Sequence, residues 1–150
     1  MKTRCHLTGS FEVALPPEEA FHLFTPAGER AWVDGWDPVF PDPMGEQDDT
    51  LPGTVFQTHA DGDATTWVVL ERRRGQMMSY ARLTPGHRAG TVTVTLAPAS
   101  AQITEVTVTY DLTALTEPAQ AELEAFAEGY SAFMRSWHDT IAKHLSSQSH

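Results

Sequence analysis

Apolar and polar residues alternate along this chain in two rhythms, and the change from one to the other organises the fold. Near the N-terminus Phe11, Val13 and Leu15 alternate with Ser10, Glu12 and Ala14, which predicts a strand over roughly residues 4–15, stopped by Pro16-Pro17. Proline and acidic residues then open a short helix over 18–24. Its Ala20, Phe21 and Phe24 share a face, and Pro26 forces it to end. A second short helix is expected over 27–33. Residues 34–52 hold four prolines, two glycines and the run Glu46-Gln47-Asp48-Asp49, and so read as a long, solvated loop.

Five strand-like runs follow, near 53–60, 64–73, 76–84, 89–97 and 102–113, rich in β-branched and aromatic residues and punctuated by Asp61-Gly62, Arg74-Gly75, Pro85-Gly86 and Pro98. From Glu117 the apolar spacing lengthens to three or four residues through Leu123, Phe126, Tyr130, Phe133, Trp137 and Ile141, which predicts one long amphipathic helix. The order defines an α+β fold: about six antiparallel strands curved around a long C-terminal helix, with two short helices after the first strand. A single domain over 1–145 is expected, with 146–150 frayed.

Turn positions carry this further. A two-residue turn at Asp61-Gly62 sets Phe56 opposite Trp67 and Thr54 opposite Val69. Another at Arg74-Gly75 sets Val69 opposite Tyr80, Trp67 opposite Arg82 and Glu71 opposite Met78. Opposed residues share a face, so Thr54, Phe56, Thr58, Trp67, Val69, Met78, Tyr80 and Arg82 form one surface, expected to be concave. An odd-length last loop adds Val94 opposite Val106, Val92 opposite Val108 and Tyr110 opposite Gly90, while Thr91, Thr93, Thr95, Thr107 and Thr109 take the wetter side. The aromatic stripe of the C-terminal helix opposes the concave face.

Composition narrows the function. With 150 residues, 41% of them hydrophobic, the chain builds a core, and a formal charge of -10 argues against a nucleic-acid partner. Arg72-Arg73-Arg74 reads as a solvated hairpin end. Cys5 is alone, so no internal disulfide forms; no secretory signal and no membrane-spanning run is present, and a cytoplasmic location is expected. The seven histidines supply no metal site: His59 falls on the outer face, and His138 and His144 are six residues apart, on different faces of a helix. No nucleophile motif or phosphate loop appears, and no cofactor is expected.

The segment Leu23 to Pro38 (LFTPAGERAWVDGWDP), Gly53-Thr54-Val55-Phe56, Trp67-Val68-Val69, Tyr80-x-Arg82 and the run Tyr130 to Leu145 together resemble the SRPBCC superfamily. This is the START-like or helix-grip fold, and the likeness is to its bacterial polyketide cyclase/dehydrase-like members. The resemblance implies a cavity between sheet and long helix with the Trp32–Trp36 loop near its mouth, Trp32 in the core and Trp36 at the rim. It implies a small, largely apolar or amphipathic ligand, with a cyclase/dehydratase-type enzyme or a chaperone-activator-like module as alternatives; whether the chain forms a homodimer stays open. The candidate ligand-binding residues are Trp36, Phe56, Trp67, Tyr80, Arg82, Tyr110, Phe126, Tyr130, Phe133 and Trp137. Arg82 either snorkels outward from the end of its strand or, facing inward on an apolar surface, requires a partner. Glu71, roughly 13 Å away at the usual strand rise, is too far, which leaves Asp34, Asp37 or the ligand.

Overall fold

The computed structural model describes residues 3–59 and 63–148. The turn expected at Asp61-Gly62 lies outside them. Strand β1 (Arg4–Val13) leads through helix α1 (Pro17–Phe21), two 3-10 turns (His22–Phe24 and Gly28–Ala31) and a long loop with a third 3-10 turn (Pro43–Glu46). Strands β2 (Val55–Thr58), β3 (Thr65–Arg73), β4 (Met77–Thr84), β5 (Arg88–Ser100) and β6 (Ile103–Ala114) follow, then helices α2 (Glu117–Glu128) and α3 (Tyr130–Ser147). The sheet order is β1-β6-β5-β4-β3-β2, antiparallel throughout. The fold is the expected α+β helix-grip.

The register of the inner face agrees with the sequence reading through two deviations that cancel. Phe56 pairs with Trp67, Trp67 with Arg82 and Val69 with Tyr80. The β3–β4 turn, however, holds three residues, since Arg73 pairs with Met77, and a bulge between Val69 and Glu71 restores the parity. Glu71 therefore faces Ser79, not Met78. On the last hairpin the pairing lies two residues from expectation: Val94 meets Val108, Val92 meets Tyr110, and Gly90 meets Leu112. The strands run closer to the turn than the sequence suggested, with an irregularity between Pro98 and Ser100. A two-residue shift preserves the face, so Val92, Val94, Val106, Val108 and Tyr110 all point inward and are buried.

The C-terminal helix is two helices. Gly129 ends α2 and starts α3 with its backbone at φ −91° and ψ 6°, outside the helical basin. The apolar spacing runs through the break, which is why periodicity alone does not reveal it. Thr116 caps α2, accepting from the Ala119 amide, and its own hydroxyl donates to the Gly86 carbonyl, fixing the helix start to the β4–β5 turn. Helix α2 lies against β6, and α3 lies along β1. There Gly9 makes the close approach possible, because a Cβ would stand 2.8 Å from Met134 Cγ.

The acidic loop is not merely solvated. Asp48 accepts from Arg72 at 2.8 Å and from both the amide and hydroxyl of Thr50, Asp49 accepts from the Ala27 amide at 2.7 Å, and Asp42 caps the turn at Met44. Arg72 is thus an anchor for the loop and not a free hairpin end. Val39 bridges Gln57 through a reciprocal pair of backbone hydrogen bonds, covering part of the β2 edge.

Candidate functional site

The segment between β1 and the long loop is locked by three aromatic donors. Trp32 Nε1 donates to the Leu23 carbonyl at 2.8 Å, Tyr80 Oη to the Phe24 carbonyl at 2.7 Å, and Trp36 Nε1 to the Pro26 carbonyl at 2.7 Å. Thr25 Oγ1 donates to the His22 carbonyl and accepts from the Gly28 amide. Gly28 is required there, since a Cβ would lie 1.7 Å from the His22 carbonyl oxygen. The motif Phe-Thr-Pro-x-Gly is thus a packing solution. It holds residues 28–36 as a lid over the sheet.

Beneath that lid is a cavity of about 600 Å³. The sheet supplies Phe56, Trp67, Tyr80, Arg82, Val92, Val94 and Tyr110; helix α3 supplies Phe133 and Trp137; the turn before the lid supplies Phe24, and the lid Glu29, Val33 and Trp36. Phe56 and Trp67 stack in parallel at 5.8 Å, with Trp36 and Tyr80 edge-on to both, so four rings form an aromatic corner. At the opening His87 bridges Asp63 at 3.5 Å and Glu122 at 3.2 Å, joining the start of β3 to α2.

Eight of the ten candidate residues line this space: Trp36, Phe56, Trp67, Tyr80, Arg82, Tyr110, Phe133 and Trp137. Phe126 and Tyr130 do not. They pack edge-on against Tyr110, and Tyr130 donates to the Val108 carbonyl at 2.6 Å. Trp32 is buried against Phe24 and Trp137, whereas Trp36 is half-buried with one side on the cavity.

The polar groups inside are few and incompletely paired. Arg82 lies with its guanidinium carbon 5.1 Å from the Trp67 ring centroid. Its Nη2 donates to Thr84 Oγ1 at 2.9 Å, while Nε is buried without a partner. Neither expected carboxylate pairs with it: Asp37 pairs with Arg30 at 3.5 Å, Asp34 lines the cavity and forms no ion pair among the described residues, and Glu71 pairs with Arg73. Burial pulls the Arg82 pKa down from the ordinary arginine value.

Sequence reasoning missed Glu29. Its backbone is held at both ends, the amide by the Thr25 carbonyl and the carbonyl by the amides of Trp32 and Val33. Its carboxyl faces the cavity with no hydrogen bond or ion pair among the described residues. Desolvation pushes that carboxyl well above the usual range. Tyr110 likewise has no hydrogen-bond partner for its hydroxyl among the described residues; burial raises its pKa, the Glu29 charge raises it further, and Arg82 lowers it. The hydroxyl of Tyr110 is therefore within electrostatic reach of both Glu29 and Arg82. The available signal was spacing: Val33 and Trp36, four and seven residues on, share a helical face with Glu29.

A curved sheet gripping a C-terminal helix over an aromatic cavity is the architecture of the helix-grip fold. The chain belongs to the family described as polyketide cyclase / dehydrase and lipid transport, whose model matches residues 4–145. Three solved structures illustrate the likeness. A protein from Mesorhizobium loti is 17% identical with a TM-score of 0.68, covering 97% of this chain and 100% of that one. Norcoclaurine synthase from Thalictrum, a point mutant in complex with a transition-state analogue, is 10% identical with a TM-score of 0.67, covering 97% of each. A protein of the dynemicin biosynthetic locus is 17% identical with a TM-score of 0.62, covering 97% of this chain and 48% of that one. No curated protein sequence matches this chain. Among the described residues no helix is long and apolar enough to cross a membrane.

Proposed function

We propose that this protein binds a small, largely apolar molecule in the cavity between sheet and α3, with the polar end of the molecule at Arg82. The observation that carries the reading is a guanidinium inside an aromatic cavity, stacked on Trp67 and only partly hydrogen-bonded. An unpaired buried charge is costly, so a site that keeps one gains most from a ligand that supplies the missing acceptor. The aromatic corner offers flat apolar surface, and about 600 Å³ is within the range of small-molecule sites. The family description supports a small-molecule role without choosing between carriage and chemistry. Native mass spectrometry of freshly purified protein is expected to show a co-purifying compound, and an apolar dye is expected to bind with one-to-one stoichiometry. A panel of such dyes that all fail to bind would overturn the reading. An enzyme of cyclase or dehydratase type is the second reading, favoured by the unpaired carboxyl of Glu29 in the same space.

A further inference from the structure

Glu29 is the feature of this cavity that ligand binding alone does not explain. A carboxyl facing an aromatic space is costly to ionise, and a passive apolar binder would be served as well by glutamine or leucine. Here the side chain is mounted on a backbone fixed by hydrogen bonds at residues 25, 32 and 33, under a lid tied down by Trp32, Tyr80 and Trp36. Its mount is rigid, and its carboxyl has no hydrogen bond or ion pair among the described residues. Across the same space stand the Tyr110 hydroxyl, with no hydrogen-bond partner among the described residues, and the Arg82 guanidinium, whose one hydrogen bond among them is from Nη2 to Thr84. A group that can hold or release a proton therefore faces donors suited to an oxygen that gains negative charge, which is the arrangement needed to move a proton at carbon beside a carbonyl.

Building on the ligand-binding reading, we propose that Glu29 is a catalytic residue that transfers a proton at the carbon α to a ligand carbonyl, with Arg82 and Tyr110 holding the carbonyl oxygen. The substrate class is a small aromatic or alicyclic ketone with an enolisable position. In the forward half-reaction the Glu29 carboxylate takes the α proton. The C–H bond breaks, an O–H bond forms on Glu29, and the electron pair moves through a new C=C bond onto the carbonyl oxygen, which becomes an enolate. In the reverse half-reaction the carboxyl returns a proton to carbon and the carbonyl re-forms. Nothing is oxidised or reduced, and no co-reactant is needed.

Desolvation supports the assignment, since a carboxyl raised well above the ordinary range is a stronger base once ionised. The groups that face it are Tyr80 and Arg82 from β4, Tyr110 from β6, and Asp34 from the loop that follows its own turn. Farther out, at the mouth, stand Asp63, His87, Arg88 and Glu122. Among the inner groups only Arg82 carries positive charge, and it is directed to Thr84 and Trp67. Glu29 is thus left free to titrate against the ligand.

The test is deuterium incorporation into β-tetralone in heavy water, followed by mass spectrometry, with binding followed in parallel by tryptophan quenching. The full-length protein is expected to bind β-tetralone and accelerate exchange at its α carbons. The planar enol analogue β-naphthol is expected to bind more tightly and inhibit. Glu29→Gln is expected to retain β-tetralone binding within about threefold while losing on the order of a hundredfold in exchange rate, the usual scale of general acid–base catalysis. Glu29→Asp, with its carboxylate drawn back, is expected to fall between. The wild-type rate is expected to rise with pH through a single ionisation well above the ordinary glutamate range, and Glu71→Gln, remote from the cavity, should leave rate and profile unchanged. Binding of β-tetralone without accelerated exchange, or equal rates for wild type and Glu29→Gln, would overturn the catalytic assignment and leave ligand binding standing. Binding of neither β-tetralone nor β-naphthol would overturn both.

Discussion

Arg72 and Arg82 lie on neighbouring strands of one sheet, and their surroundings are opposite. Arg72 donates to Asp48 and to Thr50, and Asp48 also accepts from Thr50, so the corner where the acidic loop meets β3 is closed by charge-assisted hydrogen bonds. Arg82 has one hydroxyl partner and one orphaned nitrogen. The carboxylates differ in the same sense. Hydrogen bonds from Thr50 and Arg72 pull Asp48 below the usual range, whereas desolvation pushes Glu29 above it. One region has satisfied its charges within the protein, and the other has left them unsatisfied around a cavity. The first arrangement contributes stability; the second gives up stability for sites at which a ligand can act.

The comparison breaks most readily at the aromatic corner. Phe56 is buried and stacked on Trp67, so Phe56→Ala is expected to cost about 3 kcal/mol in denaturant unfolding and to abolish ligand binding. A loss of stability with ligand affinity intact would place the ligand elsewhere. Arg72→Met is expected to cost about 1 kcal/mol, the scale of a partly exposed charge-assisted pair, with ligand affinity unchanged. Trp36→Phe removes a half-buried hydrogen bond to the Pro26 carbonyl and is expected to cost about 1 kcal/mol or less, while removing most of the ligand-induced fluorescence change.

The smallest effects at neutral pH separate the two carboxyls by sign. Asp48 is lowered in the folded state, so its contribution is present above the unfolded pKa and lost as pH falls through the folded one. Asp48→Asn should therefore be less stable than wild type at neutral pH and converge with it in acid. Glu29 is raised, so the folded state favours its protonated form, and that advantage fades as pH rises through the folded pKa. Glu29→Gln should match wild type in acid and become the more stable of the two as pH rises. Melting curves of both variants across pH check both signs. Parallel curves would show that the environments do not differ.

How much of this was legible follows the same division. The strands, the inner face and the pairing of Trp67 with Arg82 were readable because alternation and turn residues are local signals, and the bulge after Val69 happened to cancel the longer turn. The break at Gly129 was hidden because the apolar spacing continues across it. The pairing of Asp48 with Arg72 was hidden because it joins residues 24 apart through a loop with no periodicity. Arg82 could be found, since a charge in an apolar register is conspicuous. Glu29 sits in the polar-looking triplet Gly-Glu-Arg, and its spacing to Val33 and Trp36 is the one local hint that it faces inward. Its place over the cavity comes from the lid, whose closure depends on carbonyls at 23, 24 and 26 accepting from distant rings.

The central claim is that the cavity keeps Arg82 for a ligand, and calorimetry of a matched pair tests it most directly. β-Naphthoate and β-naphthalenemethanol share a ring system and differ in charge. Arg82→Met is expected to fold with stability equal to or above wild type and to weaken naphthoate by about tenfold to a hundredfold, as loss of a charge-assisted hydrogen bond implies. The alcohol should weaken by less than about threefold, since it loses at most a neutral hydrogen bond of lower net worth. Arg82→Lys should restore only part of the difference, because a point charge does not replace a planar fork. Unchanged affinities for both ligands, or equal losses for both, would contradict the account and reduce Arg82 to a packing residue.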